Sequence, residues 1–192
     1  MLSVYLAVAA ALLHVTGYTL YNVQSLTGRS KPNPVSWLIW AFLSALNAFS
    51  FSSMTDWVMA LQFFAGTVAN LVTFSILLFS GKIGWPKHND LWSLAIGLVA
   101  ALVWWLFKTA TGANFIIVIG LAVSFIPTIK GVWRDPKIET PLAWWFWTIA
   151  PFLTGAVVNL RHGEWTGYVM PILLILGHGS VAVLARRKKV AR

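Results

Sequence analysis

Apolar runs of about twenty residues, separated by short polar turns, recur along this chain, and a helix of that length is what crosses a bilayer. Such runs occupy about 2–26, 34–54, 57–80, 91–108, 113–133, 140–160 and 166–185. The segments between them are turn-rich: "GRSKPNP" at 28–34, "GKIGWPKHND" at 81–90, "KTATGAN" at 108–114 and "RDPKIETP" at 134–141. "SSMTD" and "RHGE" are short enough for tight helical hairpins. Hydrophobic residues make up 58% of the chain and charged residues 10%, against roughly 45–50% and 25% in soluble domains. A soluble fold of this length could not bury so much apolar surface. The expected fold is an all-α integral membrane protein with seven transmembrane helices. The N-terminus carries no Lys or Arg ahead of its apolar run, so it reads as a first span rather than a cleaved leader. The absence of Cys removes disulfides, thiolate metal sites and cysteine catalysis.

Charge tests the helix count. With seven spans, the first, third and fifth loops share one side with the C-terminus. That side holds Arg29, Lys31, Lys82, Lys87, Lys130, Arg134, Lys137 and five bases of the tail, which is 12 of the 14 Lys and Arg. Lys108 and Arg161 fall on the other side. The asymmetry places the C-terminus in the cytoplasm and the N-terminus outside. The formal charge of +9 is therefore a topology signal, and nucleic acid is not an expected partner; the expected partners are the lipid bilayer and a small solute, with a homo-oligomer left open.

One motif occurs twice. "PVSWLIW" (34–40) and "PLAWWFW" (141–147) both read Pro-x-x-Trp-x-x-Trp and lie 107 residues apart. They open helices 2 and 6, four helices apart, so both copies run in the same direction. Asp56-Trp57 answers Glu164-Trp165, and Asn70 answers His178, each at an offset of 108. The chain therefore divides into a first three-helix repeat (1–81), a linker helix (82–111), a second repeat (112–185) and a basic tail (186–192). Parallel repeats joined by one inverting helix form a pseudo-twofold bundle.

Two stripes follow from helical spacing. Trp37, Trp40, Ser44 and Asn47 lie on one face of helix 2, and Trp144, Trp147, Pro151 and Thr154 on the matching face of helix 6. Facing indoles could stack a flat or sugar-like solute, although tryptophans near helix starts also serve as interface anchors. Asn70 sits midway along helix 3, where an unpaired amide costs a few kcal/mol in hydrocarbon. His14, near the middle of helix 1 with Tyr18 and Tyr21 below it, can donate, accept or carry a proton. Gln62, Thr73 and Ser124 are weaker candidates. The five acids Asp56, Asp90, Asp135, Glu139 and Glu164 lie at helix ends or in loops, which favours an uncoupled facilitator. Pro127 and Pro151 each free a backbone carbonyl inside a helix.

The three-one-three arrangement and the stretch "PTIKGVWRDPKIETP" (127–141) resemble the SWEET and PQ-loop transporter superfamily, whose Pro-(Gln/Thr)-Ile-x-x-hydrophobic-x-basic pattern is carried by Pro127, Thr128, Ile129, Val132, Arg134 and Lys137. In the first copy Tyr21 and Asn22 stand where Pro-Gln would be. The tryptophan-rich helices are also similar to the bacterial nicotinamide riboside-type vitamin branch of the same fold. The resemblance implies alternating-access transport of a small neutral polar solute, a sugar or nucleoside-like vitamin, across a bacterial inner (plasma) membrane. It implies substrate binding by Asn70 with its helix 7 counterpart, here His178, and gating at Pro127, Pro151 and Tyr21. The expected binding set is Trp40, Trp147, Asn70, His178, Asn47, Ser44, Thr154, His14 and Tyr18, with no metal, cofactor or enzymatic role.

Other classes offer less. A rhodopsin would need a Schiff-base lysine in helix 7, and 166–185 contain none. A haem protein would use His14 with His178. A membrane enzyme would draw on Arg161, His162 and Glu164, and a receptor or scaffold could use the "ARRKKVAR" tail.

Overall fold

The computed structural model describes residues 1–30, 32, 34–80, 88–107 and 109–187. Lys31, Lys82, Lys87, Lys108 and the tail from 188 onward lie outside the described residues, so their part in the charge asymmetry rests on sequence. Among the described residues seven α-helices run in order: α1 (Leu2–Leu26), α2 (Pro34–Met54), α3 (Trp57–Phe79), α4 (His88–Phe107), α5 (Ala110–Arg134), α6 (Pro141–Leu160) and α7 (Val169–Leu184). Among the described residues, six helical segments are long and apolar enough to cross a bilayer. The chain reads as an integral membrane protein.

Side-chain placement agrees with lipid as the outer solvent. Large apolar residues such as Leu12, Val68, Trp105 and Leu176 face outward, while His14, Gln62, Asn70, Asn114, Thr154 and His178 are buried. A water-soluble bundle would invert that distribution. In hydrocarbon every polar side chain turned outward would lose its hydrogen bonds, so the polar groups collect at helix–helix contacts.

The helices pack as a ring. α1 and α2 each contact α3, and α5 and α6 each contact α7. Between the two groups α1 meets α6 and α2 meets α5, and α4 lies against α5 and α2. Exchanging α1, α2 and α3 for α5, α6 and α7 maps the α1–α3, α2–α3 and α1–α6 contacts onto α5–α7, α6–α7 and α2–α5, while the α3–α6 contact and those of α4 have no such counterpart among the described residues.

The ends of the elements follow local chemistry. Asp56 caps α3, its carboxylate accepting from the Met59 N–H at 3.0 Å. Thr109 caps α5 three residues ahead of the sequence expectation, because its hydroxyl accepts from the Gly112 N–H at 3.1 Å. A 3-10 turn at Pro136–Ile138 precedes α6, and another at Trp165–Tyr168 forms the first turn of the apolar segment Trp165–Leu184. Glu164 makes no cap there, so Asp56 and Glu164 match in sequence but not in role.

Polar contacts join α1–α3 and their loops to α6 and the loop before it at both ends of the bundle. At the end with the α2–α3 and α6–α7 loops, Arg161 pairs with Asp56 and reaches the Ser3 hydroxyl at 3.4 Å. At the end with the α1–α2 and α5–α6 loops, called the basic end below, the Tyr21 hydroxyl donates to Glu139 at 3.1 Å, and the Thr140 hydroxyl donates to the Arg29 carbonyl at 3.2 Å.

Candidate functional site

Between the two repeats, at mid-depth, lies a cavity of about 50 Å³. Its walls come from α1 (His14, Tyr18), α2 (Trp40, Ser44, Asn47), α3 (Phe63, Gly66, Asn70), α5 (Leu121, Ser124, Phe125) and α7 (Met170, Leu174, His178). Among the described residues no Lys, Arg, Asp or Glu lines it. Seven of the nine expected binding residues meet here. Trp147 and Thr154 do not line it.

Trp147 lies beneath the cavity on the basic side. Its indole N–H donates to the His14 carbonyl at 3.1 Å, which ties α6 to α1. The ring seats where α1 has no side chain: a Cβ on Gly17 would fall 2.5 Å from its Nε1. Tyr18 and Tyr21 pack on it at centroid distances of 4.9 and 5.4 Å, with Trp37 at 6.1 Å and Trp144 at 5.2 Å. Trp37 and Trp144 are buried at 2% and 1% exposure, so they are not lipid-facing anchors. The two Pro-x-x-Trp-x-x-Trp copies thus meet in one aromatic layer, and Trp40, one turn above Trp37, reaches the cavity wall.

Pro151 explains the state of His178. The Trp147 carbonyl would normally accept from the N–H four residues later, and that residue is Pro151, which has none. His178 Nδ1 instead lies 3.0 Å from this oxygen. A carbonyl only accepts, so the proton of neutral His178 sits on Nδ1 and Nε2 keeps a lone pair.

His14 is set the opposite way. The Thr154 hydroxyl donates to the Gln62 side-chain carbonyl, which leaves the Gln62 amide to donate to His14 Nδ1 at 3.1 Å. Neutral His14 therefore carries its proton on Nε2. Gly66 makes room for this edge of the ring, since a Cβ there would lie 2.8 Å from Nε2. The two imidazoles, with centroids 6.5 Å apart, offer the cavity one donor and one acceptor. Thr154 acts through this chain, and that is why it lies off the cavity wall.

Asn70 donates to the Ser44 hydroxyl at 3.0 Å, and the Tyr18 hydroxyl lies beside its amide. Its side-chain oxygen is buried and accepts no hydrogen bond among the described residues. Asn47 accepts from Asn114 at 2.9 Å, and Asn114 also donates to Ser50 at 3.0 Å, which joins α2 to α5 across the repeats. Ser124 turns back to the Leu121 carbonyl at 2.7 Å. Pro127 is helical within α5 but its surroundings lie outside the described residues.

Beyond the aromatic layer, at the basic end, stands Glu139, 8% exposed. Tyr21 donates to one oxygen, and the Trp144 indole to the other at 3.2 Å. Burial raises its carboxyl above the usual range, and the hydrogen bonds from Trp144 and Tyr21, with the Ser30 hydroxyl nearby, partly offset that rise. Tyr21 thus sits at a junction between the repeats.

Arg161 is engaged with Asp56 and Ser3, and His162 adopts a left-handed φ of 52° in the turn after α6. Among the described residues no group of three or more His, Cys, Asp or Glu is placed to hold a metal. No family model, curated protein or solved structure matches the chain.

Proposed function

We propose that this protein is a facilitative, alternating-access transporter of a small neutral polar solute. The observation that carries the reading is the hydrogen-bonding cavity enclosed by α1, α2, α3, α5 and α7, with no charged side chain among its described lining; two like-oriented three-helix repeats are part of the proposal. A carboxylate or phosphate would find no cation there, and an organic cation no anion. A hydroxyl or amide finds the Nε2–H of His14 and the lone pair of His178, and the buried oxygen of Asn70 becomes an acceptor when the cavity widens. Trp40 and Phe125, whose rings lie 6.0 Å apart, supply apolar faces for a ring. A cavity of 50 Å³ holds only a few waters, at about 10–15 Å³ each, so a sugar or nucleoside-like vitamin enters only when the repeats separate. The contacts at the two ends are the places where such rocking would break and re-form. The SWEET-like assignment, the outside N-terminus and the bacterial inner membrane belong to this proposal.

The test is radiolabel counterflow in proteoliposomes with a panel of sugars, nucleosides and water-soluble vitamins. Counterflow needs no coupled gradient. One panel member is expected to exchange, and Asn70→Ala is expected to lower its exchange about tenfold or more, the loss of roughly 1.4 kcal/mol of binding. Trp40→Ala should act in the same direction. Silence across the panel from folded protein would overturn the proposal.

A further inference from the structure

Glu139 is the one acid whose burial the transport reading does not use. It belongs to the second repeat and is held by Tyr21 from the first and by Trp144 from its own. From α1 the titratable group facing it is Tyr21, from the α1–α2 turn the Ser30 hydroxyl, and from α6 the Trp144 indole. Arg29, Arg134 and Lys137 are exposed, and Arg29 offers this junction only its backbone carbonyl, to Thr140. Among the described residues the one ion pair is Arg161–Asp56, and the groups that hold Glu139 are neutral donors; Lys31, next to Ser30, lies outside the described residues.

Burial disfavours the charged form of a carboxyl held by neutral donors, and the group can relieve that cost in either of two ways. It can take a proton, or it can return to water. Returning to water requires the repeats to part at this end, because the carboxyl is covered by groups from both. We infer that Glu139 is a proton-binding site between the repeats, where the protonated acid holds the basic end joined and the carboxylate favours its opening. The Ser30 hydroxyl beside the carboxyl is an acceptor for the acid proton, while Tyr21 and Trp144 continue to donate to the carboxyl oxygens. The inference concerns the junction itself and stands whether or not the cavity carries a solute.

The sign follows from linkage. The joined form has the raised pKa and the opened form the ordinary one, so joining takes up a proton. Below the ordinary carboxylate range both forms are protonated and the junction is at its most stable. As pH rises from that range through the raised value, the joined-to-open ratio falls by about tenfold per unit.

The absence of native Cys makes the measurement clean. Spin labels on Arg29→Cys and Lys137→Cys, two exposed positions on opposite repeats, report the separation of the basic end by pulsed EPR in the full-length chain. The change at Arg29 keeps the backbone carbonyl that Thr140 uses. The expected result is a short distance at pH 5 that gives way to a longer one as pH rises, with a midpoint above the ordinary carboxylate value. Tyr21→Phe removes a donor that favours the anion, so its midpoint should move to higher pH. Glu139→Gln should abolish the dependence. A distance distribution unchanged from pH 5 to 9 in the labelled wild-type background would overturn the inference, without need of any variant that fails to fold. A profile that survives Glu139→Gln unchanged would overturn it equally.

Discussion

Trp147→Ala is expected to destabilise the folded protein by about 3–5 kcal/mol, the range for deleting a large buried aromatic side chain. At 2% exposure the indole has almost no contact with solvent or lipid to soften that loss. Its removal opens the aromatic layer between Tyr18, Tyr21, Trp37 and Trp144, and it leaves the His14 carbonyl without the indole donor. Trp147→Phe keeps most of the packing and loses the hydrogen bond, so it should cost nearer 1–2 kcal/mol. Reversible unfolding in mixed micelles, followed by circular dichroism, measures both. A Trp147→Ala cost below 1 kcal/mol would show that the ring is not a brace between α1 and α6 and would restore it as a candidate substrate contact.

The second large effect is at Gly17. A methyl group here would sit 2.5 Å from Trp147 Nε1 and 2.7 Å from Cδ1, closer than packed atoms tolerate. Trp147 is fixed by its neighbours and its hydrogen bond, so Gly17→Ala should cost about 1–3 kcal/mol as overpacking. The same change in the Trp147→Ala background meets no ring. There it should be neutral, or stabilising by about 0.5–1 kcal/mol, because alanine outperforms glycine within a helix. The double-mutant cycle therefore predicts strong coupling between two residues 130 positions apart in sequence. Additive costs would mean that α1 and α6 do not meet by this notch.

Much of the architecture is legible from period and punctuation. The first three helices fall at their expected limits because Pro34 and the Asp56 cap mark them sharply. α4 and α5 begin about three residues early, since His88-Asn89-Asp90 and the Thr109 cap lie in stretches whose polarity reads as loop. The site is legible where depth decides: Asn70, Ser44, His14 and His178 are polar residues in the middle of apolar runs, and they meet at one cavity. Sequence does not separate lining from bracing. Trp40 and Trp147 occupy equivalent places in the repeat, yet Gly17 opens a notch for Trp147, and that notch draws the ring out of the cavity wall. Phe63, Phe125 and Met170 are indistinguishable in sequence from other apolar residues of their helices. Asn114 sits in a segment that reads as a break between spans, and Glu139 in one that reads as a polar loop. Burial at such places depends on how the halves close over the loops, which no local pattern encodes.

Alternating exposure of the central cavity is the claim on which the functional account depends, and one labelled position tests it directly. Ser124 lines the cavity and spends its hydroxyl on its own helix, so Ser124→Cys places a thiol there with little disturbance. In oriented proteoliposomes of this otherwise cysteine-free chain, a membrane-impermeant maleimide is applied from one face and then, in a parallel sample, from the other. The account predicts labelling from both faces, and slower labelling when the transported solute fills the cavity. A thiol that reacts from one face only would contradict it.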